Sequence, residues 1–185
     1  ESLLFATGDN GDAGEDGRAF PQDPKGHLGK ILRINTKDGS VTVVGLGVRS
    51  VQRLVIAPRE GELTVDFVDM GGSVAEEFNS IRVTDLLAAG PPRNFGWGRH
   101  ADGKAREGAF YIGPDGKALA AAPPDEPGFE APVAQFGRAQ EGLFGASGPV
   151  SSTQSFSRIV ALAGDLAGGG LFAILQSRSS EGQPV

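Results

Sequence analysis

Apolar and polar residues alternate along this chain in runs too short for ordinary helices. Leu3-Leu4-Phe5-Ala6-Thr7 is apolar almost throughout and predicts a buried strand. Lys30–Asn35 alternates with the period of two of a half-buried strand. Thr36-Lys37-Asp38-Gly39-Ser40 then carries the Asp-Gly turn signal, and Val41–Val44 returns as the second arm of a hairpin. Leu54–Ala57 and Leu63–Val68 predict two further strands joined by Pro58-Arg59-Glu60-Gly61-Glu62, and Ser80–Val83 predicts a short one. Thr84–Ala89 predicts one helical turn, stopped by Gly90-Pro91-Pro92.

The pattern weakens between Arg93 and Pro132. Asn94-Phe95-Gly96-Trp97-Gly98 brings an aromatic pair together, and Tyr111-Ile112 reads as a strand running into the turn Gly113-Pro114-Asp115-Gly116. Ala118–Pro132, rich in alanine and proline, predicts a long surface loop. Ser157–Leu162 and Gly170–Leu175 predict the last strands, and a polar tail follows over 176–185. The reading is one all-β domain over 1–185, irregular at about 99–132. Short strands separated by Asp-Gly and Gly-Pro turns suit a sandwich, a barrel or a propeller. Strand–turn–strand units recur at loosely blade-sized intervals, without a clean repeat.

Composition narrows the chemistry. With 185 residues the chain supports one sizeable core, and 29 glycines with 12 prolines suit a turn-rich β protein. No window approaches the roughly 18 consecutive apolar residues of a membrane span. Glu1 leads straight into a strand, so no signal peptide is expected in this stretch. A net charge of −6 argues against nucleic acid, which wants a basic face. The absence of cysteine excludes disulfides and thiolate chemistry, and two histidines, His27 and His100, are too few for the usual zinc site. Carboxylates, arginines, backbone carbonyls or a bound cofactor remain.

Several residues stand out. In the acidic loop at 8–17, Asp12, Gly14, Asp16, Gly17 and, further on, Asp23 follow part of a calcium-loop pattern. Glycine stands at the third ligand position, and aspartate replaces the closing glutamate. A solvated glycine-rich turn explains the same residues. Glu76 and Glu77 read as help for a structural calcium or as an exposed acidic pair opening a strand, with the exposed pair favoured. Phe95 and Trp97 read as core or as a sugar platform, with the core favoured by the packing gain of buried aromatics. His27 and His100 read as hydrogen-bonded loop residues.

The stretches Gln22–Ile34 and Arg49–Asn79 resemble the glucose/sorbosone dehydrogenase family, soluble aldose sugar dehydrogenases that use pyrroloquinoline quinone (PQQ) and form a six-bladed β-propeller. Thr7-Gly8-Asp9 resembles the family's "TGD", and Gln22 through Ile34 its "QDxxxxLGKILRI". Arg49-Ser50-Val51-Gln52-Arg53 resembles "RNPQG". Gly61-Glu62-Leu63-Thr64-Val65, followed by Asp69, Gly71 and Glu76-Glu77-Phe78-Asn79-Ser80-Ile81, resembles "GELWV…D.G…EEIN.I". Asn94-Phe95-Gly96-Trp97 resembles "NYGW". Beyond Gly98 the similarity is looser and rests on Ser147-Gly148-Pro149 and Gly164-Asp165-Leu166.

The resemblance implies roles. Asp9 would orient the catalytic histidine, Arg49 would contact the quinone with Ser50 and Gln52 beside it, and the backbone carbonyls of Gly71 and Gly72 would hold calcium. A hard cation wants oxygen ligands, and an arginine fork suits the cofactor's carboxylates. The sequence also departs from the family. Ser50 replaces the asparagine beside the arginine and Arg53 the turn glycine, and Arg158 and Arg178 are candidates only by default for the later quinone contacts. The histidine base would lie upstream of the "TGD" strand, where this chain begins, so the chain alone is expected to be inactive. At about 40–50 residues per blade, 185 residues make three or four blades. The expectation is therefore an incomplete propeller, a fragment or a subunit whose ring a second chain or a longer precursor completes. Its ligand would be a sugar or glycan, and the family implies a periplasmic or secreted location. The alternative is a non-catalytic propeller-type module, calcium-stabilised, for protein or glycan contacts.

Overall fold

A computed structural model describes residues 1–10, 20–72, 74–100, 104–114, 117–123, 126–137, 156–164 and 171–177. The first hairpin forms where the sequence places it. β1 (Ser2–Ala6) pairs antiparallel with β2 (Lys30–Asn35), and β2 with β3 (Val41–Leu46). The Asp-Gly turn between β2 and β3 is tied by side chains, with Asn35 Oδ1 accepting from the Lys37 amide and Asp38 Oδ1 from the Ser40 amide. This is the local bonding that makes Asn and Asp turn residues.

The second hairpin is longer than its apolar run suggests. β4 (Val51–Arg59) pairs with β5 (Glu62–Asp69) through a two-residue turn whose residues, Glu60 and Gly61, both have positive φ, at 49° and 85°. That geometry matches the strand twist, and glycine meets it without strain. Gln52, Arg53 and Arg59 hid the ends of β4 from the hydrophobic pattern. They are tolerated because β4 is an edge strand.

β6 (Ala75–Arg82) continues the sheet beside β5 and begins five residues before the expected strand. The acidic pair that the sequence suggested was exposed is buried within it: Glu76 is 0% and Glu77 3% exposed. One short helical turn, α1 (Val83–Leu86), follows. β7 (Arg93–Asn94) then returns to the first sheet, parallel to β3.

The stretch at 99–132 is not irregular throughout. β8 (Gly98–Arg99), β9 (Ala105–Glu107), β10 (Phe110–Ile112) and β11 (Ala118–Ala121) form a sheet of their own. Its short alanine- and glycine-containing strands carry little β-propensity, so cross-strand pairing rather than residue type defines them. β12 (Ala134–Gly137) adds to the outer edge of β6, and β13 (Phe156–Gly164) pairs with β14 (Leu171–Ser177).

The described residues thus form three four-stranded sheets, ordered β1-β2-β3-β7, β12-β6-β5-β4 and β11-β10-β9-β8, and one two-stranded pair. The main core lies where the first two sheets meet. Ile31, Val44 and Val48 pack there against Val65, Phe67 and Ile81. Phe95 closes the core, with its ring edge-on to Phe67 at 5.0 Å between centroids. On the other face of the first sheet Leu32 is buried, but Leu3 and Phe5, expected in a buried strand, and Val41 are exposed.

Phe67 has no exposed surface and touches the centre of this core. Phe67→Ala should therefore cost about 3–5 kcal/mol, measured as the loss of unfolding free energy in urea. A loss near zero would place the core elsewhere.

Candidate functional site

The ends of these strands bring separated residues to one place. Asp9 follows β1, Arg49 and Ser50 link β3 to β4, Asp69 ends β5, and Trp97 precedes β8. Asp69 is 2% exposed, and both its carboxylate oxygens accept backbone amides: Oδ2 from Arg49 at 2.8 Å and Oδ1 from Ser50 at 2.6 Å. The Met70 amide donates back to the Ser50 carbonyl at 3.1 Å. Two chain segments about twenty residues apart are thereby clasped side by side.

The Arg49 side chain completes the clasp. Its Nη1 donates to the carbonyls of Met70 at 3.1 Å and Gly71 at 2.9 Å. The guanidinium lies 5.5 Å from the Trp97 ring centroid, within cation–π range. The Trp97 indole N–H in turn donates to Asp9 Oδ2 at 2.9 Å, and Asp9 is buried. The Asp9 amide donates to the Arg49 carbonyl, which closes the circuit among Asp9, Arg49 and Trp97.

Two of the quoted motifs meet directly. Gln22 and Asn94 exchange side-chain amide hydrogen bonds at 3.0 and 2.8 Å, and Gln22 Nε2 also donates to the Trp97 carbonyl. The Trp97 amide donates to the Gly47 carbonyl, so the residue is held at its backbone N–H and C=O and at its indole Nε1. Beneath the second motif, the buried Lys30 ammonium donates to the carbonyls of Phe20, Pro21 and Leu28. Three carbonyls match the three donors of an ammonium.

The turn after Asp69 wraps around a second carboxylate. Glu107, at the end of β9, accepts the amides of Val74 and Ala75 on one oxygen, each at 2.9 Å. A Cβ on Gly71 would collide with the Ala75 carbonyl and the Glu107 carboxylate, so only glycine fits. A Cβ on Gly72 would press on the Trp97 ring. Sequence reasoning missed Glu107, because nothing in Ala105-Arg106-Glu107 signals a site.

The remaining candidates fall outside this centre. Gln52 is exposed, and its side chain donates to the Ser50 carbonyl and hydroxyl. Asp23 is exposed and accepts the Lys25 amide within its own turn. Asp12 and Asp16 lie outside the described residues, and so does Arg178; of Arg158 only the backbone is described. His100 bonds the Gly96 carbonyl through Nε2, and His27 is exposed. Phe95 and Trp97 are both buried, Phe95 in the core and Trp97 against Arg49.

The centre fits one of the two groups implied by the resemblance. A half-buried guanidinium, fixed over an indole, suits a planar anion such as a quinone bearing carboxylates. Calcium does not fit at Gly71, because that carbonyl already accepts from a protein cation. Nor is any group of three or more histidine or carboxylate side chains placed to hold a metal ion among the described residues.

Buried charge makes the centre sensitive to pH. Burial pushes Asp69 up to about 7, against the pull of the Arg49 and Ser50 amides and the Arg49 charge, and Asp9 adds repulsion. Glu77, directly opposite Asp69 in the register of β5 and β6, is raised well above its ordinary value by burial, then by Asp69 and Glu107. Like charges facing each other across strands destabilise a sheet. Between about pH 4 and 7 the folded chain therefore holds more protons here than the unfolded chain. Stability should fall as pH rises through that window, by at most about 4 kcal/mol from Asp69. Denaturant titrations at several pH values test this. Asp69→Asn should flatten the slope while costing roughly 1–3 kcal/mol for a lost acceptor, and an unchanged slope would remove Asp69 as its source.

Among curated proteins no sequence match is found. The family model for glucose/sorbosone dehydrogenase, a β-propeller family, matches residues 1–175, nearly the whole chain. Its open four-stranded sheets have the form of an incomplete propeller. The chain belongs to the glucose/sorbosone dehydrogenase family.

Proposed function

We propose that this chain is the quinone-anchoring part of an aldose sugar dehydrogenase-like propeller, with Arg49 as the anchor. The observation that carries the reading is the fixed position of Arg49. Its backbone is tied to Asp69, one guanidinium nitrogen to Met70 and Gly71, and its face to Trp97. A side chain already ordered loses little further entropy when it binds a ligand. PQQ, when bound, supplies a two-electron acceptor for sugar oxidation. Arg49 binds and orients the anion, Trp97 supplies a flat apolar wall, and Asp9 holds the indole through Nε1. Ser50 and Gln52 flank the anchor.

Aldose oxidation in this reading belongs to the completed ring, and the chain alone is inactive. The exposed Leu3, Phe5 and Val41, side by side on one face of the first sheet, support further sheets packing there, in a longer polypeptide or a second chain. Family membership supports a sugar as substrate and a periplasmic or secreted location. Among the described residues no helix is long and apolar enough to cross a membrane.

Calorimetric titration with PQQ tests the anchor. The native chain should bind one equivalent, and Arg49→Ala should weaken binding by roughly 1.5–3 kcal/mol, about ten- to 150-fold. Equal affinity in a variant with native circular dichroism would overturn the reading.

A further inference from the structure

Around the turn that begins at Met70, charged side chains of the protein itself bond four polar backbone groups. On the carbonyl side, Arg49 Nη1 donates to Met70 and Gly71. On the amide side, Glu107 Oε1 accepts from Val74 and Ala75. The arginine is not free to leave cheaply. Its own amide and that of Ser50 are bonded to the buried Asp69, and its carbonyl accepts from Asp9. Paired carbonyls converging on one point are what a hard cation seeks, and here a guanidinium stands at that point.

We infer that Arg49 is a built-in cation for this turn, taking the place of a metal ion at the Met70 and Gly71 carbonyls, so that no divalent cation binds there. This departs from the calcium dependence implied by the family resemblance. It stands whether or not a quinone binds, because it concerns only contacts within the chain. Two like charges on one carbonyl repel in a half-buried setting where water screens them poorly. Calcium at Gly71 would therefore require Arg49 to be displaced, with the loss of both its hydrogen bonds and its contact with Trp97.

Trp97 is the only tryptophan in the chain and lies beside the Arg49 guanidinium, so it is a local donor for sensitised luminescence. Terbium(III), an oxygen-seeking stand-in for calcium, is added to the native protein and to Arg49→Met and Arg49→Lys. The native protein and Arg49→Lys should give no tryptophan-sensitised emission. Arg49→Met, which keeps the apolar stem and removes the charge, should gain emission several-fold, and excess calcium should quench it. Emission from the native protein that calcium displaces would overturn the inference. So would a folded Arg49→Met that stays dark, because the carbonyl pair would then attract no cation even when vacated. Should Arg49→Met fail to fold, the native melting temperature with and without millimolar calcium decides. No shift is expected, and an upward shift absent from Arg49→Lys would overturn the inference.

Discussion

A carboxylate withdrawn from water must find hydrogen-bond donors, and the structure turns on how Asp69 finds them. Leaving it unpaired would cost several kcal/mol, so its two oxygens capture the amides of Arg49 and Ser50. That capture fixes where the chain leaving β3 must pass and aligns it with the end of β5. The side chain of Arg49 then has one direction to go, back over residues 70 and 71 and against Trp97. The packing of the first two sheets and the geometry of the candidate site therefore share one origin.

The same solution recurs at this end of the sheets. Loops carry backbone groups that no ladder satisfies, and here buried charged side chains satisfy them. Lys30 fills a cage of three carbonyls, Glu107 takes two adjacent amides, and Asp69 takes two more. Buried charges are poor sources of net stability, because desolvation consumes most of what pairing returns. What they supply is a single arrangement of loops, and so a guanidinium held ready at a fixed place. Asp69 and Glu77 are raised chiefly by burial, with repulsion from neighbouring acids adding to it.

Much of this was legible in the chain. The β2–β3 hairpin stood out through strict alternation and an Asp-Gly turn, and Lys30–Asn35 coincides with the observed strand. Arg49 and Asp9 were visible through motif resemblance, and the structure brings both to Trp97. The ends of β4 were hidden because an edge strand accepts arginine and glutamine. Glu76 and Glu77 read as an exposed pair because charge normally signals surface, whereas here a β-strand carries both inside. The third sheet was obscured because its strands are only two to four residues long and several carry alanine or glycine. That is too little pattern to mark a strand, even though their partners are near in sequence. Glu107 could not be found from its neighbours, since its role depends on a turn more than thirty residues earlier.

Amide hydrogen exchange at Arg49 and Ser50 tests the central claim most directly. Both residues sit in a loop between strands, where exchange is ordinarily fast. If the Asp69 clasp organises this end of the protein, the two amides exchange as slowly as those of β5 and β6. Rapid exchange at Arg49 and Ser50, alongside protected strands, would contradict the account.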